Sequence, residues 1–195
     1  MPDKYQNKYR IPSARLKNWD YASNGAYFIT ICTKDRKHYF GEITNGEMEL
    51  SPIGELAHQF WNEIPAHFPF VELGNFVVMP NHMHGILIIS HNNHPIDANL
   101  NPNEALHSVV QTLHCNVSTE TKKIAIPSPK PGSISTIIRS YKSVVTKNAH
   151  YINKEFQWHP RFHDHIIRNS ESFEIIQTYI ANNPENWGKD RLSKR

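Results

Sequence analysis

Two histidines one residue apart, His82 and His84, interrupt the apolar run Phe76–Ile89, FVVMPNHMHGILII. On a β-strand successive side chains point to opposite faces, so residues i and i+2 share a face. A rise of ~3.3 Å per residue starts the two imidazoles only roughly 7 Å apart. Rotamer choice can close that gap onto one cation, with Met83 turned the other way as an anchor in the core. The same pattern also suits two partly buried, hydrogen-bonded histidines with no metal between them. Further on, the pattern predicts a last helix. At about 100° per residue its buried stripe is Phe173, Ile176 and Ile180. Tyr179 sits at the edge of that stripe and Asn183, four residues on, lies beside it. A phenol and a carboxamide therefore project from one shoulder of the helix; their plainer reading is an edge-of-core aromatic and a C-terminal cap. Tyr141 is the rival phenol, but it falls at the centre of its own helix's apolar stripe, which suits a core residue. A tyrosine hydroxyl with a pKa of ~10 needs a cation or a base to become a nucleophile.

The elements that must position these groups are legible in outline. Tyr27–Thr33 (YFITICT) is rich in β-branched and aromatic residues and reads as a first strand after the Asn24-Gly25 turn. Lys34–Lys37 reads as a charged turn. Tyr39–Ile43 and Glu47–Leu50 flank Asn45-Gly46, a hairpin signal. Ser51-Pro52 opens a helix, Ser as N-cap and Pro at the first position, with Ile53, Leu56, Ala57, Phe60 and Ile64 as its apolar stripe. Phe70–Leu73 and Phe76–Ile89 read as strands, the second bent at Pro80. A helix starting at Ser133 or Ser135 and running to about His150 turns Ile134, Ile137, Tyr141, Val144 and Val145 inward and Arg139, Ser143, Thr146 and Lys147 outward. Glu155–Arg168 reads as extended or irregular. The last helix opens near Asn169 or Ser170 and stops where Pro184 forbids continuation. Hairpin-like strands with helices on one side imply an α+β fold on an antiparallel sheet.

Residues 91–132 change character: Asn, Pro, Ser and His dominate, which marks an insertion with one or two helical turns around Glu104–Leu113. Its histidines, among them His91, read as solvated. Residues 1–19 form a basic arm and 188–195 a basic tail around one domain of residues 20–187. The chain's 195 residues carry a net charge of +3, and its mean hydropathy is −0.58. No stretch approaches the ~20 apolar residues of a membrane span. The basic first segment holds no apolar core, so it does not read as a secretory signal. Cys32 and Cys115 stand far apart, against a disulfide framework or thiolate-bound zinc. A cytoplasmic, nucleoid-associated protein is the expectation.

The motif MPNHMHGILI, the stretch FQWHPRFHDHIIRN and YIANNP, in that order, resemble the single-tyrosine HUH transposases, and among them the REP-associated tyrosine transposases, named for repetitive extragenic palindromes. The resemblance runs from about Asp20 to Trp187 without the insertion. It implies a ferredoxin-like α+β fold, an antiparallel sheet with helices packed on one face. It implies an enzyme that cuts and rejoins single-stranded DNA beside hairpins through a 5′-phosphotyrosine intermediate, with a divalent cation, Mg²⁺ or Mn²⁺. Carried over by motif, His82 and His84 are the metal ligands, Asn183 the third protein ligand, where related enzymes often use glutamine, and Tyr179 the nucleophile. The DNA partner would meet a monomer or a homodimer. Arg161 and Arg168 are candidate phosphate contacts, as are Arg139 and Lys147 for a hairpin backbone. Phe156, Trp158 and Phe162 can stack on unpaired bases or pack into the core. His163 and His165, a second His-x-His, can hold DNA, support the metal site or be structural. Two other classes remain: a non-catalytic hairpin-DNA-binding relative, and a metallohydrolase in which water replaces the phenol.

Overall fold

Pro80 and Asn81 do more than bend a strand. Proline presets the backbone for a tight turn and asparagine favours one, so the apolar run folds back on itself. The structure, a computed structural model, describes residues 19–91, 129–190, 192 and 193. In it the run read as one bent strand is the end of β4 (Val71–Met79) and all of β5 (His82–Ile89), an antiparallel pair closed by Met79 opposite His82. The remaining elements are β1 (Gly25–Cys32), the small hairpin β2 (Gly41–Thr44) and β3 (Glu47–Leu50), α1 (Pro52–Asn62), the short α2 (Ile64–His67), α3 (Ile134–Ile152), β6 (His163–Ile167) and α4 (Ser170–Ala181). The basic arm apart from Trp19, and the insertion apart from its two ends, lie outside the described residues. So do the helical turns expected around Glu104–Leu113.

Four strands form one antiparallel sheet in the order β4-β5-β1-β6. With α1 between β1 and β4 and α3 between β5 and β6, this is the expected α+β, ferredoxin-like arrangement. The sequence signals act where they were read. Ser51 Oγ accepts from the Gly54 N–H at 3.1 Å and starts α1. The Asn169 side chain accepts from the Ser172 N–H at 2.8 Å and starts α4. Asn45 and Gly46 both take positive φ, 54° and 83°, as a hairpin turn between right-twisted strands requires. β6 is a strand inside the segment read as extended or irregular. His91, read as solvated, is partly buried, bonds Ala22 O through Nε2 at 2.9 Å and stacks on Phe70.

The sheet has two unlike faces. Tyr27, Ile29 and Ile31 of β1 and Met83, Leu87 and Ile89 of β5 point into the main core against α1 and α3. Gly85 is required there: a Cβ on it would sit 2.5 Å from the Trp61 ring. Its neighbours in the alternation face the other way. Phe28, Ile86, Ile88 and Ile167 meet Phe173, Ile176 and Ile180 of α4 in a second, smaller cluster. The last helix thus covers the face that α1 and α3 leave free, where the sequence had implied helices on one face. Gln177 anchors it: its side-chain oxygen accepts from the Asn75 N–H at 2.7 Å, at the register shift in β4. That anchor sets Tyr179, two residues on, over β5.

Candidate active site

His82 and His84 lie on the α4 face of β5, both buried, with Met83 fully buried on the other. The two Nε2 atoms converge to 3.1 Å. Neighbours fix how the rings present them. The Asn81 Nδ2 donates to Leu192 O at 3.0 Å, which turns Asn81 Oδ1 towards His82 Nδ1 at 2.8 Å. Oδ1 only accepts, so Nδ1 carries the proton and Nε2 keeps its lone pair. His84 Nδ1 meets the Thr30 hydroxyl at 2.9 Å. Phe28 stacks on His84 and Trp187 on His82. Burial, then the charges of His84 and Arg36, pushes His82 down to about 2. Burial, then His163 and Arg36, pushes His84 down to about 3. Both rings are therefore neutral at ordinary pH.

The phenol and the imidazoles meet in one folded chain. Tyr179 Oη lies 3.2 Å from His84 Nε2, and its ring is 45% exposed at the rim of the site. Burial and the Asp190 carboxylate raise its pKa, and the Asn183 carboxamide pulls it back. Tyr141 goes elsewhere. It is 2% exposed, and its hydroxyl donates to Ala57 O at 2.9 Å, beside Met83 Sδ at 3.0 Å, on the core face.

Three features fit a cation here. Two ligand nitrogens in adjacent positions of a metal, with bonds of ~2.1 Å at right angles, stand roughly 3 Å apart, close to what His82 and His84 show. Asn183 is buried and its Oδ1 has no hydrogen-bond partner. Asp190 Oδ2 is also buried without one, 3.6 Å from His82 Nε2, while Oδ1 accepts from the Leu192 N–H. His82, His84 and Asp190 offer ligand atoms within 4.8 Å of one another. Oxygen left unpaired in a buried site is costly unless a ligand takes it. Sequence reasoning missed Asp190, a carboxylate inside a stretch read only as basic tail.

Other candidates are not gathered here. Arg139 and Lys147 are exposed on α3, which packs on the opposite face of the sheet. Arg168 follows β6, whose Ile167 pairs with Ala26, the strand end away from Thr30 and His84. Arg161 is exposed two residues before His163, and its carbonyl accepts from Lys142 Nζ. The stacking set is corrected: Phe156 is fully buried, and Trp158 and Phe162 pack against the main core, so none is set out for a base. His163 and His165 are exposed, opposite Thr30 and Phe28, on the same sheet face as the histidine pair.

No protein-family model matches the sequence. An uncharacterised protein of Haemophilus influenzae is 36% identical over 182 residues, covering 92% of this chain and 91% of that protein. Among solved structures the chain is similar to a REP-associated tyrosine transposase bound to a REP hairpin, with a TM-score of 0.54 and 18% identity, over 92% of this chain and 77% of that one. At that identity the likeness is one of fold.

Proposed function

We propose a function for a chain that belongs to one family with the Haemophilus influenzae protein and has the fold of a REP-associated tyrosine transposase: it cleaves and rejoins single-stranded DNA beside hairpins through a phosphotyrosine. The observation that carries this reading is the 3.2 Å approach of Tyr179 Oη to an imidazole pair whose ring nitrogens converge to 3.1 Å. Hairpin DNA as the partner is taken from the solved relative, which is bound to a REP hairpin.

His82 Nε2, His84 Nε2 and the side-chain oxygens of Asp190 and Asn183 would hold a divalent cation, Mg²⁺ or Mn²⁺. When bound, such a cation supplies a Lewis acid that polarises and orients the scissile phosphodiester. Tyr179 Oη gives up its proton to solvent as it attacks phosphorus in line; the P–O3′ bond breaks, the 3′-oxygen takes up a proton and leaves as a 3′-OH, and the 5′-phosphate stays on the tyrosine. One phosphodiester is exchanged for another, so little free energy is lost, and a second 3′-OH can run the step in reverse onto new DNA. The half-exposed position lets Tyr179 meet a phosphate, and the buried Ile180 with the partly buried Phe173 and Ile176 holds its helix against the sheet. Asn81 keeps His82 in the tautomer that offers Nε2. Nucleophile and imidazoles belong to one chain, so a monomer suffices. Among the described residues no helix is long and apolar enough to cross a membrane.

The test is a denaturing gel with single-stranded DNA carrying a hairpin and Mg²⁺. The wild type forms a covalent protein–DNA adduct; Tyr179→Phe forms none but still shifts the DNA under native conditions. An adduct from Tyr179→Phe removes the nucleophile assignment. A wild type that binds but never forms an adduct is the non-catalytic binder.

A further inference from the structure

The turn between β1 and β2 carries a cation, Arg36, near the imidazole pair. Asp35 and Arg36 both take left-handed backbone conformations, with φ of 53° and 55°. Outside glycine that geometry costs roughly 1 kcal/mol or more per residue, and it persists only where the surroundings enforce it. The enforcement is visible. The buried Thr33 hydroxyl lies 2.7 Å from Lys37 O and 3.0 Å from Asn81 O, and the Thr33 N–H donates to Asn81 O at 2.9 Å. The strained turn is thereby stitched to the Pro80-Asn81 turn from which His82 emerges.

The result is a guanidinium brought back over β1. One Arg36 Nη donates to Cys32 Sγ at 3.0 Å. Cys32 is the cross-strand partner of His82 and shares its face with Thr30, which touches His84. Arg36 therefore sits beside the imidazole pair, half-buried. A thiol sulfur is a weak acceptor, and a guanidinium has five N–H donors to satisfy. Among the described residues no carboxylate lies within ion-pair distance of it, Asp190 included. Its charge still reaches the site, since it helps hold both His82 and His84 in their neutral form. A planar fork of donors with no carboxylate partner among the described residues, next to neutral imidazoles and a phenol, matches a tetrahedral phosphate anion, which arginine binds with two parallel hydrogen bonds.

We propose that Arg36, held by its strained turn against Cys32, is a phosphate-binding residue that clamps an oxygen of the scissile phosphodiester beside His82 and His84. This deepens the transposase reading and rests on it for the identity of the diester. The phosphate site itself does not, and the two can be tested apart.

The first arm uses inorganic phosphate as the probe, full-length protein, Mg²⁺, and calorimetry or ³¹P NMR. Glycine adopts a φ of 55° without strain, so Arg36→Gly separates the side chain from the turn. It melts at or above the wild-type temperature, yet binds phosphate about tenfold to a hundredfold more weakly. Arg36→Lys keeps the charge without the fork and falls between the two. Lys37→Gln removes one positive charge from the same turn and changes the affinity less than about twofold. Wild type and Arg36→Gly binding phosphate equally, a wild type that binds none, or a glycine variant that melts well below wild type each overturn the proposal. The second arm follows adduct formation on hairpin-flanked single-stranded DNA, which slows by about a hundredfold in Arg36→Gly. Undiminished adduct formation in that variant overturns the clamp and leaves the transposase reading standing. Arg36-dependent phosphate binding with no adduct from the wild type keeps the clamp and removes that reading.

Discussion

Two tyrosines lean on the same strand from opposite sides. Tyr141 comes from α3, and its hydroxyl is spent on Ala57 O and Met83 Sδ; burial pushes its pKa well above the ordinary value. Tyr179 comes from α4, with its ring half in solvent and its hydroxyl on His84 Nε2. Met83 and His84 are adjacent in sequence, so the alternation of a single strand places one phenol in the core and the other at the imidazole pair. The general lesson is that a sheet covered on both faces can keep a full core on one and a polar site on the other, one residue apart.

The comparison is most sharply broken by exchanging the two phenols. Tyr179→Phe eliminates covalent adduct formation on hairpin-flanked single-stranded DNA. Tyr141→Phe keeps adduct formation within a few-fold of wild type and lowers stability by about 1 kcal/mol, the ordinary value of one lost hydrogen bond. The next largest effect is on the polar face alone. His82→Ala with His84→Ala abolishes Mg²⁺- or Mn²⁺-dependent cleavage; undiminished cutting by that variant rules out a cation held there. On the core face, Trp61→Ala costs about 3–5 kcal/mol in denaturant unfolding, because Trp61 is fully buried against Gly85. Asp190→Ala weakens cation binding by about tenfold or more in titration calorimetry. Unchanged affinity would return the third-ligand role to Asn183 alone.

The smallest effect is a dependence on pH. In the cation-free protein His82 and His84 sit at about 2 and about 3, below the ordinary 6.5. Between those values the unfolded chain binds more protons, so stability rises with pH. Melting temperature should therefore fall as pH drops from about 6.5 towards 3. A variant with asparagine at both positions should fall less steeply; an equal slope would mean that the buried pair does not titrate as described.

Much of this division could be read in the chain because it rests on local rules. Ser51-Pro52, Asn45-Gly46 and Asn169 mark their element boundaries through side chains and backbone preferences that act within a few residues. The facing of Met83 against His82 and His84 follows from a period of two, and the shoulder position of Tyr179 from helical spacing. What escaped depends on longer range. The stretch Phe76–Ile89 is rich in apolar residues on both sides of Pro80-Asn81, so a strand bent at Pro80 and a tight hairpin read alike until Met79 is seen to pair with His82. Phe156 and Trp158 are aromatic beside arginines, which says nothing about the face they take until α3 and β1 close over them. Asp190 lies among lysines and arginines, and its place beside His82 arises from the path of the chain after Pro184, held by the Asn81–Leu192 hydrogen bond.

The central claim is that the phenol from α4, and no other, takes the DNA. Trypsin cutting after Arg168 and Lys189 releases Tyr179 in the peptide Asn169–Lys189, whereas Tyr141 leaves in Ser140–Lys142. Mass spectrometry of the digested, nuclease-trimmed adduct should find the nucleotide mass on Asn169–Lys189, localised to Tyr179. The same mass on Ser140–Lys142, or on any peptide lacking Tyr179, would contradict the account.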